Sequence, residues 1–168
     1  CAKNLFIKAD SVIKAGKNPF EEWKTCVVGK PFPDFSAKTI TGDAVAFDKL
    51  KGTIIVINFW FIGCHPCIAE LPALSKLVKE YQGKGVVFLA FTWETVASIR
   101  KDFLSKYKLD FTILPEANEL ISKVSGSGYP TTYILDKNGI IKEAWNGGST
   151  DETAKTEAYL KAKPIIDI

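Results

Sequence analysis

Apolar positions along the chain fall into two patterns: short β-branched runs that read as strands, and stretches with apolar residues three and four apart that read as helices. The run Gly52-Thr53-Ile54-Ile55-Val56-Ile57-Asn58-Phe59-Trp60 has the composition of a buried central strand, interrupted only by Asn58. Ile68, Leu71, Leu74, Leu77, Val78 and Tyr81 follow at helical spacing and predict a helix from Ile68 to Tyr81, kinked by Pro72. Val86 to Trp93 reads as a second buried strand, and Thr95 to Lys106 as a helix capped by Thr95. Phe111 to Leu114 is a short strand ended by Pro115, and Asn118 to Val124 a short helix. The loop Gly126-Ser127-Gly128-Tyr129-Pro130 opens into the strand Thr131 to Leu135. The turn Asp136-Lys137-Asn138-Gly139 suits a hairpin that returns as Ile140 to Trp145, because Asn-Gly tolerates positive φ. Gly147-Gly148 is a break before a last helix from Asp151 to Lys161. Ahead of the central strand, Phe35 to Ile40 and Ala44 to Phe47 predict a hairpin across Thr41-Gly42-Asp43. The order β-β-β-α-β-α-β-α-β-β-α places parallel crossovers in the middle and an antiparallel hairpin at the end, an α/β fold with a mixed sheet.

At 168 residues the chain is the length of one domain. Val28-Gly29-Lys30-Pro31-Phe32-Pro33 marks its start, since two prolines impose extended geometry. Residues 1–26 are then a lysine-rich spacer or extension, helical to near Gly16 or extended, and residues 27–168 the domain. The net charge of +3 is spread as lysines alternating with acids, and Arg100 is the only arginine. That pattern reads as a solvated surface and excludes a nucleic-acid binder, which concentrates positive charge and uses arginine. No run approaches the ~20 apolar residues of a membrane span. A chain that begins with Cys1 reads as one from which a signal peptide has been removed, and it resembles a bacterial lipoprotein whose first thiol carries the lipid. The expected location is extracytoplasmic, in the periplasm or cell envelope, with a membrane tether through Cys1.

Between the central strand and the first helix lies Cys64-His65-Pro66-Cys67. At a helix start, unpaired backbone N–H groups and the positive end of the dipole stabilise a thiolate. A structural zinc site needs four ligands, and one histidine with two remote cysteines supplies no second pair. A c-type haem site is excluded because the histidine stands between the cysteines. The spacing leaves redox chemistry. Cys26 is expected to be a small buried hydrophobe, with pairing to Cys1 as the alternative.

The same residues, with Val28-Gly29-Lys30-Pro31-Phe32-Pro33-Asp34-Phe35, Asn58-Phe59-Trp60, Ile68-Ala69-Glu70-Leu71-Pro72 and Gly128-Tyr129-Pro130-Thr131-Thr132-Tyr133-Ile134-Leu135-Asp136, resemble the TlpA/ResA-type thiol-disulfide oxidoreductases. These are thioredoxin-like proteins of the AhpC/TSA-related superfamily, and the resemblance covers residues 27–162. It implies a thioredoxin-like fold with an N-terminal β-hairpin extension and dithiol exchange at Cys64 and Cys67, with no cofactor beyond their redox-active disulfide and no metal. Cys64 would be the nucleophile, aided by the adjacent His65, and Cys67 would resolve the mixed disulfide. Glu70 resembles the family's helix-borne acid, implying proton transfer or pKa tuning at Cys67, because Asn58 occupies the strand position where cytosolic thioredoxins carry an acid. Pro130 matches the cis-proline that faces the cysteines and presents a backbone edge to the incoming peptide. Glu94 resembles an acid near the same site, and Trp60, Phe61, Trp93 and Tyr129 are candidates for a peptide-binding surface, with core packing the competing fate of Trp60.

Two departures stand out: Gly63 replaces the tryptophan that commonly precedes the first cysteine, implying a flatter and less apolar surface beside Cys64, and His65-Pro66 is not the commonest dipeptide, which leaves the redox potential open. The implied partners are protein disulfides or dithiols and an upstream thiol reductant, acting on a monomer. A thiol peroxidase would need a threonine where Phe61 stands and an arginine nearby. A copper-binding relative would space its cysteines three apart and add a distant histidine.

Overall fold

The central strand, β3 (Ile54–Phe59), is buried on both faces, and everything else is arranged around it. The computed structural model describes residues 18–124 and 128–168, together with Ile13 and Gly16. Expectations for Cys1, for most of residues 1–17 and for Gly126-Ser127 lie outside the described residues. A helix α1 (Pro19–Val27) comes first, then the hairpin β1 (Ser36–Lys38) and β2 (Ala44–Ala46). After β3 come α2 (His65–Ala69), α3 (Leu71–Tyr81), β4 (Val86–Phe91) and α4 (Val96–Ser98), which continues as a π-helical turn, Ile99–Phe103. The chain ends with β5 (Thr112–Leu114), α5 (Asn118–Val124), β6 (Thr131–Leu135), β7 (Ile141–Asn146) and α6 (Ala154–Ile166).

The strands form a mixed sheet in the order β5-β4-β3-β6-β7. β3 runs parallel to β4, as the intervening helices require, and antiparallel to β6, with Asn58 opposite Thr132 and Phe59 opposite Thr131. Alternation along β3 divides the core. Val56 and Trp60 pack with Leu74 and Leu77 of α3 and Ala158 and Ala162 of α6. Ile55, Ile57 and Phe59 face the other layer, against Phe32, Leu120 and Tyr133. Asn58 shares the first face, so its amide points toward α2 and α3.

Trp23 brings α1 into that second layer. Its side chain is 1% exposed, and its ring meets Tyr133 edge-on at 5.6 Å. Part of the stretch before residue 27 is therefore packed on the sheet, with Asn18 capping α1 through Phe20 N. Trp23→Ala is expected to destabilise the protein by ~3–5 kcal/mol in denaturant unfolding, because it empties a large buried volume. A change below ~1 kcal/mol would show that α1 is not part of the cooperative unit.

Three helices depart from their sequence pattern, and the one expected over Thr95–Lys106 is α-helical only at Val96–Ser98 and ends as the π-helical turn Ile99–Phe103. The expected continuous helix to Tyr81 starts earlier, at His65, and is interrupted at Glu70 (φ −82°, ψ −8°). Pro72 has no N–H to give the carbonyl four residues back, so the helix restarts with Pro72 in its first turn, where that donor is not needed. The last helix begins at Ala154 and runs to Ile166 through Pro164. Burial of Ala162 and Ile166 extends it past the Lys161 end that the sequence suggested.

Candidate active site

Cys64 is the N-cap of α2, with Sγ accepting from Cys67 N at 3.3 Å. The two cysteines form a disulfide, Sγ–Sγ 2.02 Å and Cα–Cα 5.2 Å. Their side chains are only 3% and 4% exposed, while His65 is exposed and Pro66 half-buried. Gly63 stands immediately before them at φ +85°, a left-handed conformation that glycine adopts freely and other residues rarely do.

Glu70 falls at the joint between α2 and α3, three residues after Cys67 and on the same side of the helix. It is 4% exposed. Asn58 Nδ2 donates to its Oε1 at 2.9 Å and to Thr132 Oγ1 at 3.1 Å, a link across the β3–β6 pair. Burial pushes the Glu70 carboxyl up to about 8, against the Asn58 hydrogen bond, which favours the charged form. Asn58 does not titrate, and it holds the group that does.

The Tyr129–Pro130 peptide is cis. The register that sets Phe59 against Thr131 puts Pro130 at the end of the sheet from which the chain runs to Cys64. Pro130 and Glu70 also converge at Gly148. A methyl added there would stand 3.5 Å from Pro130 Cγ and 3.9 Å from Glu70 Oε2.

The remaining candidates separate. Trp60 lies under the cysteines, 2% exposed against Phe103 at 4.4 Å, and its indole N–H has no partner among the described residues. It belongs to the core. Phe61, Trp93 and Tyr129 instead form a half-buried trio, Phe61 stacked on Trp93 at 5.1 Å and Tyr129 edge-on to both. Glu94 Oε1 accepts from Ile62 N at 3.1 Å and so ties down the loop leading to Cys64. Cys26 is half-buried and not a free thiol, so the lone buried hydrophobe expected there is corrected. Sequence reasoning missed Thr132, Gly148 and the loop after β7. Gly147-Gly148 was legible only as a break, because nothing local ties it to Glu70.

The AhpC/TSA family model matches residues 28–144. The chain belongs to the AhpC/TSA family. Within that family, it is 38% identical over 134 residues to the thioredoxin-like protein YneN of Bacillus subtilis, covering 79% of each chain. It is 31% identical over 143 residues to the thiol-disulfide oxidoreductase ResA of Bacillus thuringiensis, covering 84% of this chain and 82% of that one. A solved thiol:disulfide interchange protein of the DsbE type from Chlorobium tepidum superimposes with a TM-score of 0.70 at 22% identity, covering 83% of this chain and 97% of that one. This AhpC/TSA member is thus a ResA-type thiol-disulfide oxidoreductase with the thioredoxin-like fold and the N-terminal hairpin that its sequence implied. Among the described residues no group of histidine, cysteine and acidic side chains could hold a metal ion, and no helix is long and apolar enough to cross a membrane.

Proposed function

We propose that the protein reduces protein disulfides outside the cytoplasm, with Cys64 as nucleophile, Cys67 as resolving thiol and Glu70 as proton carrier. The observation that carries this reading is the buried carboxyl of Glu70, three residues from Cys67 and hydrogen-bonded to Asn58, which burial pushes up to about 8. In the reduced protein the Cys64 thiolate, stabilised by the α2 N-terminus, attacks one substrate sulfur, and the other sulfur leaves and takes a proton. Cys67 then gives its proton to Glu70 and attacks Cys64 Sγ, which closes the Cys64–Cys67 disulfide and frees the second substrate thiol. Two electrons pass to the substrate. An upstream dithiol returns them, and the protonated Glu70 supplies the proton that Cys67 takes up.

Pro130 offers a backbone edge to the substrate chain, and the Phe61–Trp93–Tyr129 trio offers it an apolar surface. Location outside the cytoplasm follows from the substrate, since protein disulfides form and persist in oxidising compartments. A peroxidase has less support: Phe61 stands where a threonine is needed, and Arg100 is bound to the Ile40 carbonyl.

Two measurements test the proposal. With excess dithiol the protein should catalyse insulin reduction. Equilibrated against glutathione or a dithiol buffer, its disulfide should show a potential near the reducing end of the thioredoxin-fold range, about −270 mV, and not near −120 mV. A value at the oxidising end would reverse the direction of electron flow.

A further inference from the structure

Glu70 is enclosed by groups from every element around it. β3 contributes the Asn58 amide, which also bonds Thr132 of β6, and α2 contributes Cys67 three residues back. From α6, Glu157 opposes ionisation of Glu70 and Lys161 favours it. On the Oε2 side the nearest backbone of the loop after β7 is at Gly148. Gly147 N donates to the Pro130 carbonyl at 2.7 Å, and a methyl on Gly148 would just reach the Pro130 ring, at 3.5 Å, and Glu70 Oε2, at 3.9 Å. One residue on, Ser149 N donates to Glu157 Oε2 at 3.0 Å. The other oxygen of Glu157 takes Lys161 Nζ at 2.7 Å, one helical turn along α6. These contacts hold the Glu157 carboxyl well below the usual carboxylate range, so it remains a charged acceptor. Two adjacent glycines give the loop little stiffness of its own, so its position depends on the pins at Pro130 and Glu157.

We propose that Glu157 is a positioning residue for the redox centre: by clamping the Ser149 amide it holds Gly147-Gly148-Ser149 down as the dry wall over Glu70. The Glu157 carboxylate takes its hydrogen bonds from Ser149 N and Lys161 Nζ, not from the cysteines. It acts through the loop, which excludes water from Oε2 and so keeps the proton on Glu70 until Cys67 needs it. The inference rests on the proton-carrying role given to Glu70 above.

The test is titration of carboxyl carbons in the oxidised full chain by carbon-13 NMR, with the Glu70 signal assigned by its loss in Glu70→Gln. In Glu157→Ala the Glu70 midpoint should fall by about one pH unit, the size of shift that a change of local solvation produces. Glu157→Gln keeps a neutral acceptor for Ser149 N and should restore most of the wild-type midpoint. Ser149→Pro deletes the donated amide while keeping the Glu157 charge, and should lower the midpoint as well. Amide hydrogen exchange at Ser149 should be faster in Glu157→Ala and near wild type in Glu157→Gln. An unmoved midpoint in Glu157→Ala or in Ser149→Pro would overturn the clamp. So would an equal fall in Glu157→Ala and Glu157→Gln, which would assign the effect to charge alone. These results are separable from the role of Glu70, which fails instead if Glu70→Gln leaves the pH–rate profile intact.

Discussion

Cys64→Ala is expected to lose disulfide-reductase activity by about 10³-fold or more, since removing a covalent nucleophile leaves no alternative route through the site. The substitution leaves Cys67, but that thiol lies a turn inside the helix, away from the capping position that activates Cys64. Cys67→Ala should behave differently. Its Cys64 can still attack, so substrate accumulates as a mixed disulfide visible on a non-reducing gel and released by added thiol. Circular dichroism confirms that both variants fold. Retention of activity in Cys64→Ala, or trapping through the wrong cysteine, would reverse the assignment of nucleophile and resolving thiol.

Glu70→Gln carries the second large effect. A buried carboxyl near pH 8 can give and take a proton close to neutrality, and general acid–base groups of this kind contribute ~10²–10⁴-fold. The wild-type pH–rate profile should show an inflexion near 8 that is missing in Glu70→Gln, with the rate at neutral pH lowered by about 10²-fold. Stability gives an independent check with a definite sign. The folded-state pKa is raised from 4.5 to about 8, so below 4.5 the carboxyl is protonated in both states and costs nothing. Between 4.5 and about 8 the unfolded chain ionises and the folded one does not, and the wild type loses stability steadily as pH rises. Above about 8 the loss is complete and constant. Glutamine does not titrate, so the oxidised Glu70→Gln variant should gain on the wild type across that window when both are unfolded in denaturant. A stability difference flat in pH would mean that Glu70 is solvated in the folded protein.

Much of this site was legible before any coordinates. Cys64 and Cys67 declare themselves by spacing and by standing between a β-branched run and a helical one. Both facts are local, and the capping geometry follows from them. The strand assignments held for the same reason: β3 and β6 are buried on both faces, and only continuous apolar runs survive there. The helix break was less legible. Pro72 signalled a disturbance in the right place, but its position gave no reason to put the interruption at Glu70 and so turn that side chain inward. Trp60 and the trio of Phe61, Trp93 and Tyr129 were indistinguishable as aromatic residues. Burial separates them, since Trp60 lies on the core face of the sheet and the others sit on the loops around its end.

The sequence by itself determined the chemistry, because a reactive thiol needs only a helix start and a neighbour at the right spacing, and both are written within four residues. The tertiary structure alone decided the surroundings of Glu70. Asn58, Glu70, Thr132, Gly148 and Glu157 come from five separate stretches of chain and meet only when β3 pairs with β6 and α6 packs back over them. Desolvation depends on everything that surrounds a group, and no local pattern encodes it.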